Sequence, residues 1–551
     1  MRRRTVAAAA IPLSLALVLT ACGSKSGGEN TPNANSTSKS SDAGISIYGT
    51  NPQTNMLPAN TTDAGGAKFV EAMYSPLVGL KPEDATPYNL VAESITTTDS
   101  KVYDIKIKKG WKFHDGTEVK AHNFVDAWNF AAYGPNAQLA SDFFSQIEGF
   151  DDVYTKDPDG TDGPQKPPTP KAKTMSGLKV LGDYEFQATL KAPFSVWASK
   201  IGYRVFAPLP DKFFTMDPAE FAKNPIGNGP LKFVSYTPNQ SIKLTRFDDY
   251  TDSSKKVKFK DLEIRIYSAQ EAAYKDLLSG KLDFMEALPP SAKAGGKYKQ
   301  DLGDQVLSAN LQGISGLSVP DYLPDYKNPD LRHALSMAIN REQITKTVLN
   351  DGYVPADGWV PNGVKGYEPG ACGDFCKYDP AKAKELLAKS GFTGKVTITS
   401  NADGGRKEPL EAACNSIKNT LGIDCTFVPA TDFGQFRQMI VAGKLTGLGR
   451  SDWSADYPSI ENFLNPIFRT GASSNDAKWS NPQFDAVMAQ ADSTANADDA
   501  IKLYQQANKM LAAEMPKIPT WVEKGVGARS KNLKSAVLNC RRLLEYSTVE
   551  V

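Results

Sequence analysis

Residues 328–344 read NPDLRHALSMAINREQI, with a proline at a first helical position behind an asparagine that can accept from the open N–H groups of the first turn. Leu331, Leu335, Ala338 and Ile339 then recur on one face of a helical period, so the stretch predicts an amphipathic helix with one buried side. The same kind of start recurs at Asp217-Pro218, Asp379-Pro380 and Asn481-Pro482. After Asp379, Ala383, Leu386 and Leu387 line one face before Gly391 stops the helix. Elsewhere the period changes to two. Tyr103, Ile105 and Ile107 alternate with polar residues, as do Tyr184, Phe186, Ala188 and Leu190, then Leu262, Ile264 and Ile266, and Val396 with Ile398. These are half-buried strands by pattern. Helices and strands interleave along the whole body, which predicts the α/β class.

Ahead of this body, Arg2, Arg3 and Arg4 precede an apolar run over 6–18 and then Leu19-Thr20-Ala21-Cys22. A basic start followed by an apolar core too short to span a bilayer is a secretory signal, so 1–21 is expected to be removed on export. Leu-x-Ala-Cys resembles a bacterial lipobox, which makes Cys22 the lipidated first residue of the mature chain; two acyl chains give lasting attachment where one does not. Residues 22–43 are Gly, Ser, Asn, Thr, Lys and Asp with almost nothing apolar, a flexible tether holding the body at the outer face of the cytoplasmic membrane. Loss of 1–21 takes three of 63 basic residues and none of 62 acidic ones, leaving the mature chain near −2. Nucleic-acid binders carry a clustered basic excess, so nucleic acid is excluded as a partner. The body beyond the tether is too long for one hydrophobic core and implies two or three domains.

An exported chain sits in an oxidising compartment, where local disulfides are the default for Cys372 with Cys376 and Cys414 with Cys425. A four-cysteine zinc site is the rival, but the spacings are not Cys-x-x-Cys and no histidine lies nearby. Cys540 is left over and reads as a buried thiol. Residues 151–174 form an aperiodic Pro, Gly and Asp insertion; Asp157-x-Asp159 lacks the glycine register and closing glutamate of a calcium loop, so no metal is assigned. Catalytic constellations are scarce. There are three histidines, and no nucleophile elbow, zinc-protease helix, phosphate loop or dinucleotide fingerprint. His333, early in its helix, reads as a packing or surface residue. No enzyme activity and no cofactor are assigned, although paired carboxylates of a glycosidase would leave no local signature.

Five stretches together resemble one family. These are 111–128 (WKFHDGTEVKAHNFVDAW), 224–233 (NPIGNGPLKF), 330–344 (DLRHALSMAINREQI), 453–464 (WSADYPSIENFL) and 481–491 (NPQFDAVMAQA). In content and order they are similar to the extracytoplasmic solute-binding proteins of oligopeptide and dipeptide ABC importers, bacterial solute-binding protein family 5. The resemblance implies a two-lobed fold of the periplasmic binding-protein type, closing by a hinge over its ligand. Lobe I would be 44–59, 176–268 and 516–551, the extra subdomain 60–175, and lobe II 269–515. It also implies an oligopeptide ligand, and permease and ATPase subunits as partners. Asp456 matches the family's aspartate for the ligand's N-terminal ammonium, Trp453 a cleft-lining indole, Arg450 a guanidinium for a ligand carboxylate, and Arg406 a further basic residue for longer ligands. One departure stands out: oligopeptide binders carry tyrosines on the strand that crosses between lobes, where 307–319 reads LSANLQGISGLSV. An extracellular hydrolase of peptides or glycans, or a binder of a metal chelate, haem or oligosaccharide, is the alternative on the same scaffold.

Overall fold

The run 328–344 folds as two helices rather than one. Pro329–Met337 is capped by Asn328, whose side chain accepts from Asp330 N, and Arg341–Thr347 by Asn340, which accepts from Gln343 N. A second asparagine cap competes with continuation of the helix and wins at 338–340. The other Asx-Pro starts also cap helices: Asp217 opens Pro218–Phe221, Asp379 opens Pro380–Ser390 and Asn481 opens Pro482–Ser493. The computed structural model describes residues 42–551 other than 53–54, 62, 84, 156–166, 351, 402–405, 432, 456 and 473. The signal 1–21, almost all of the tether, Cys22, the Asp157-x-Asp159 pair and Asp456 therefore lie outside the described residues.

The alternating stretches form the strands Val102–Ile107, Glu185–Thr189, Asp261–Ile266 and Val396–Asn401. A 12-stranded sheet runs the length of the body. At its centre two long antiparallel strands, Val306–Ser318 and Lys517–Arg529, lie side by side. On one side follow Phe284–Met285, Ile45–Gly49, Asp261–Ile266, Ser241–Arg246 and Leu231–Thr237, the sheet of the first lobe. On the other come Leu448–Arg450, Val396–Asn401 and Cys425–Ala430, the sheet of the second.

Two domain boundaries differ from the sequence reading. The strands Leu178–Gly182 and Glu185–Thr189 pair into a separate four-stranded sheet with Val102–Ile107 and Ala92–Thr96, so they belong with the 60–175 subdomain and not with lobe I. The outer partner of Glu185–Thr189 lies some 80 residues earlier, beyond anything a local pattern records. Likewise 269–305 packs on the first lobe: Tyr274, Leu277, Leu288 and Leu302 share a core with Tyr48 and Val526, and Phe284–Met285 is inserted between Ile45–Gly49 and Lys517–Arg529.

In the second lobe, helix Lys407–Leu421 covers the sheet, and Cys414 in its middle is bridged to Cys425 at the start of the edge strand Cys425–Ala430. Cys372 is bridged to Cys376, and Cys540 is buried outside both bridges. The His333 ring stacks on Phe375 at 3.7 Å, and its Nε2 lies 2.8 Å from Ala512 O, a packing role. A bridge closing a loop of this size is worth about 3 kcal/mol in the chain-entropy model. Replacing Cys414 and Cys425 together by serine should lower the unfolding free energy by that amount, read as a lower urea midpoint. Equal midpoints for the variant and the oxidised wild type would mean that the helix and edge strand are held by packing alone.

Candidate functional site

The two central strands are out of register where they pass between the lobes. Asn310 faces Lys524 and Ile314 faces Val522, so Leu311, Gln312 and Gly313 bulge opposite Glu523. A bulge of this kind bends a strand and re-aims its side chains. On its other edge the same strand takes a new partner: Gly313 pairs with Ser454 and Ile314 with Trp453, and Ala455 N donates to Gln312 O at 2.8 Å. A cavity of about 720 Å³ opens at this point, walled by 311–313, Ser454 and Ala455 and by residues of helix Ala64–Met73.

The cavity wall is charged, and its charges are arranged in pairs. Lys68 Nζ, buried at 4% side-chain exposure, donates to Glu286 Oε1 at 2.6 Å and to Tyr48 O at 2.7 Å. One helical turn on, Glu71 is bracketed by Arg541 at 2.9 Å and Arg204 at 3.6 Å. Arg542 pairs with Glu523 across the bulge. Polar groups in such a setting must be paired before a ligand arrives, because a lone buried charge is far more costly than a coupled one.

The predicted residues of the second lobe separate into two sets. Arg450 and Arg406 come together on a residue the sequence reading missed: Arg450 Nη1 donates to Asp452 Oδ2 at 2.8 Å, and Arg406 Nε lies 3.2 Å from the same oxygen. Arg450 also lies against the ring of Phe436, 5.5 Å from its centroid. Neither arginine is on the wall of the cavity. Beneath them lies Lys517, 2% exposed, whose amine burial pushes down to about 8 against the opposing pull of Asp452 and Asp476. Gly316 makes room for it, since a Cβ there would meet Lys517 Cε at 2.5 Å. Trp453 is half-buried and turns its indole N–H to Asn462 Oδ1 at 3.1 Å, while its chain neighbours Ser454 and Ala455 reach the cavity. Asp456 is outside the described residues. Asp452, Lys517, Glu71 and Glu286 gave no sequence signal, because each acquires its partner across more than 40 residues of chain or in a turn without a motif.

The model of the bacterial extracellular solute-binding proteins, family 5 (middle) matches residues 86–475. Dipeptide-binding protein DppE of Bacillus subtilis (strain 168) is 26% identical over 83% of this chain and 82% of its own. Glutathione-binding protein GsiB of Escherichia coli O6:K15:H31 is 25% identical over 87% of this chain and 89% of its own. Among solved structures, the unliganded open form of the periplasmic murein tripeptide-binding protein MppA superposes with a TM-score of 0.81 at 21% identity, covering 93% of this chain and 98% of that one. Haemophilus influenzae OppA in complex with RPPGFSPFR gives 0.64 at 23% identity, covering 93% and 99%.

Within the 453–464 block, Glu461 is 1% exposed, accepts from Tyr457 OH and from Asn465 Nδ2 at 2.8 Å, and is pushed up to about 7 by burial and by nearby Asp492. Its ordinary value is 4.5. Between the two the native chain holds the proton that the unfolded chain has released, so Glu461 makes stability fall as pH rises through that window, and the loss is complete above it. His114, which burial pulls down to about 4, acts in the opposite sense over nearly the same range. The quantity to measure is therefore the unfolding free energy of wild type minus that of Glu461→Gln. It should drop by on the order of 3 kcal/mol between pH 4.5 and 7 and then level off, and a flat difference would place the proton elsewhere.

Proposed function

The chain belongs to the bacterial extracellular solute-binding proteins of family 5, and from that premise we propose that it captures oligopeptides outside the cell and hands them to an ABC importer. The observation that carries the ligand class is the composition of the cavity wall. Among the described residues it holds four acidic and four basic side chains beside a strand bulge and the edge of 454–455. A peptide presents an ammonium, a carboxylate and unpaired backbone N–H and C=O groups, and a balanced wall next to strand edges answers all three. The relatives named for dipeptides and glutathione, and the solved neighbours named for a murein tripeptide and an oligopeptide, support the same class.

In this reading Asp456, the next residue after the cavity-lining Ala455, holds the ligand's N-terminal ammonium. Trp453 supports that edge from behind through Asn462. Arg450 and Arg406, two guanidiniums on the single carboxylate of Asp452, leave positive charge for a ligand carboxylate on the second lobe. The protein binds and releases, and performs no chemistry on its ligand. Among the described residues no helix is long and apolar enough to cross a membrane, so passage and energy come from permease and ATPase partners. The body is exported behind the signal 1–21 and tethered by a lipid on Cys22 to the outer face of the cytoplasmic membrane.

Two outcomes test these assignments. Cys22→Ser should release the protein from washed membranes with its melting temperature unchanged, and full retention would remove the lipid from the account. Asp456→Ala should weaken binding of a free peptide by about 2 to 5 kcal/mol, because it strands a buried ammonium, which is roughly 30-fold to several thousandfold. N-acetylating the ligand on the wild type should cost a similar amount, and the two changes together less than their sum. Calorimetry on that cycle decides: N-acetyl peptides bound as tightly as free ones would shift the ligand class to a non-peptide solute.

A further inference from the structure

Glu286 follows the short strand Phe284–Met285 and stands on the first-lobe wall of the cavity. It is 8% exposed. Its Oε1 is taken by Lys68, while its Oε2 is buried and has no hydrogen-bond partner. Buried carboxylate oxygens are almost always satisfied, so an unsatisfied one on the wall of a ligand cavity is a place left for a donor that arrives from outside.

The same wall shows what the completed arrangement looks like. Lys68 and Glu71 lie one turn apart on helix Ala64–Met73. Glu71 sits between two cations, Arg541 and Arg204. Glu286 has the first of its cations in Lys68 and no second. We infer that Glu286 takes a cationic nitrogen of the ligand, an ammonium or guanidinium, as the second member of a Lys68–Glu286–ligand bridge; this rests on the peptide reading above. A charged donor is favoured over a neutral one because a cationic nitrogen adds Coulomb attraction to the bond with the Glu286 carboxylate, which a neutral donor lacks. A cation beside Lys68 is tolerable because one carboxylate between two cations is already the arrangement at Glu71. The nitrogen can come from a basic side chain or from the N-terminus, and the two sources are separable.

The test is calorimetry of the purified full chain with Ala-Lys-Ala, Ala-norleucine-Ala and N-acetyl-Ala-Lys-Ala. Glu286→Gln keeps an amide oxygen for Lys68 and removes the charge. If the side chain is the source, wild type should prefer lysine to norleucine by about 10- to 100-fold, and Glu286→Gln should erase that preference. If the N-terminus is the source, the penalty for N-acetylation should shrink by a similar factor in Glu286→Gln. Ligand ratios identical in wild type and variant would overturn the inference and leave the peptide reading standing. No binding of any of the three by wild type would overturn both. The ratios on wild type alone also decide if the variant fails to fold, since equal affinity for all three peptides is incompatible with a cation held at Glu286.

Discussion

The pairing of Val306–Ser318 with Lys517–Arg529 is the constraint on which everything else hangs. These two strands turn two lobe sheets into one 12-stranded sheet, and the short strand Tyr353–Pro355 adds a further pairing to Lys517–Arg529. The start of the second strand needs help, because Pro519 cannot donate to a ladder and the register slips between Ser315 and Gly316. That help comes from the 328–344 run. Arg341, 2% exposed, donates through Nε and Nη2 to Pro519 O at 2.9 and 2.7 Å and through Nη1 to Ser336 O at 2.9 Å. Burial lowers its pKa to about 9, which still leaves it charged at neutral pH, so its donors remain in place. Arg332 Nη1 reaches Glu514 O at 2.9 Å and Trp359 Nε1 reaches Lys517 O at 2.7 Å. The planar fork of an arginine suits this task because it can hold several carbonyls at once without a counter-ion.

Much of the scaffold is legible in the chain. Asn328, Asp379, Asn481 and Asp217 announce their helices because capping is a local transaction between a side chain and the next two or three N–H groups. Strands with one wet face announce themselves by alternation. The first central strand does not: from Leu311 to Ser318 every residue is buried, so there is no alternation to read, and only the family resemblance locates it. The pairing of 178–189 and the packing of 269–305 are illegible for a related reason. Which sheet a strand joins is settled by partners far away in sequence, and no local property of Glu185–Thr189 names Val102–Ile107.

The site divides in the same way. The chain shows Trp453, Arg450 and Arg406 through a resemblance to known motifs, and the structure draws the two arginines to one point. The carboxylate that unites them, Asp452, lies between Arg450 and Trp453 in the sequence, yet nothing local distinguishes it from a turn residue. Lys68, Glu71, Glu286, Arg204 and Arg541 come from stretches as distant as 470 residues. Ion pairs of such long range have no period and no spacing.

Their arrangement carries a physical consequence. Buried ion pairs are weak contributors to stability, since desolvation consumes most of what attraction returns, whereas removing one partner is costly. Charged side chains around this cavity are therefore better understood as fixing positions than as holding the fold. Beside the cavity Lys68 and Glu286 pair and Glu286 Oε2 is left over, whereas Arg450 and Arg406 share Asp452 away from the cavity wall, with Lys517 and Asp476 close by. Fixed charges of both signs on one cavity wall suit a ligand that itself carries both signs, which is the physical basis of the peptide reading proposed above.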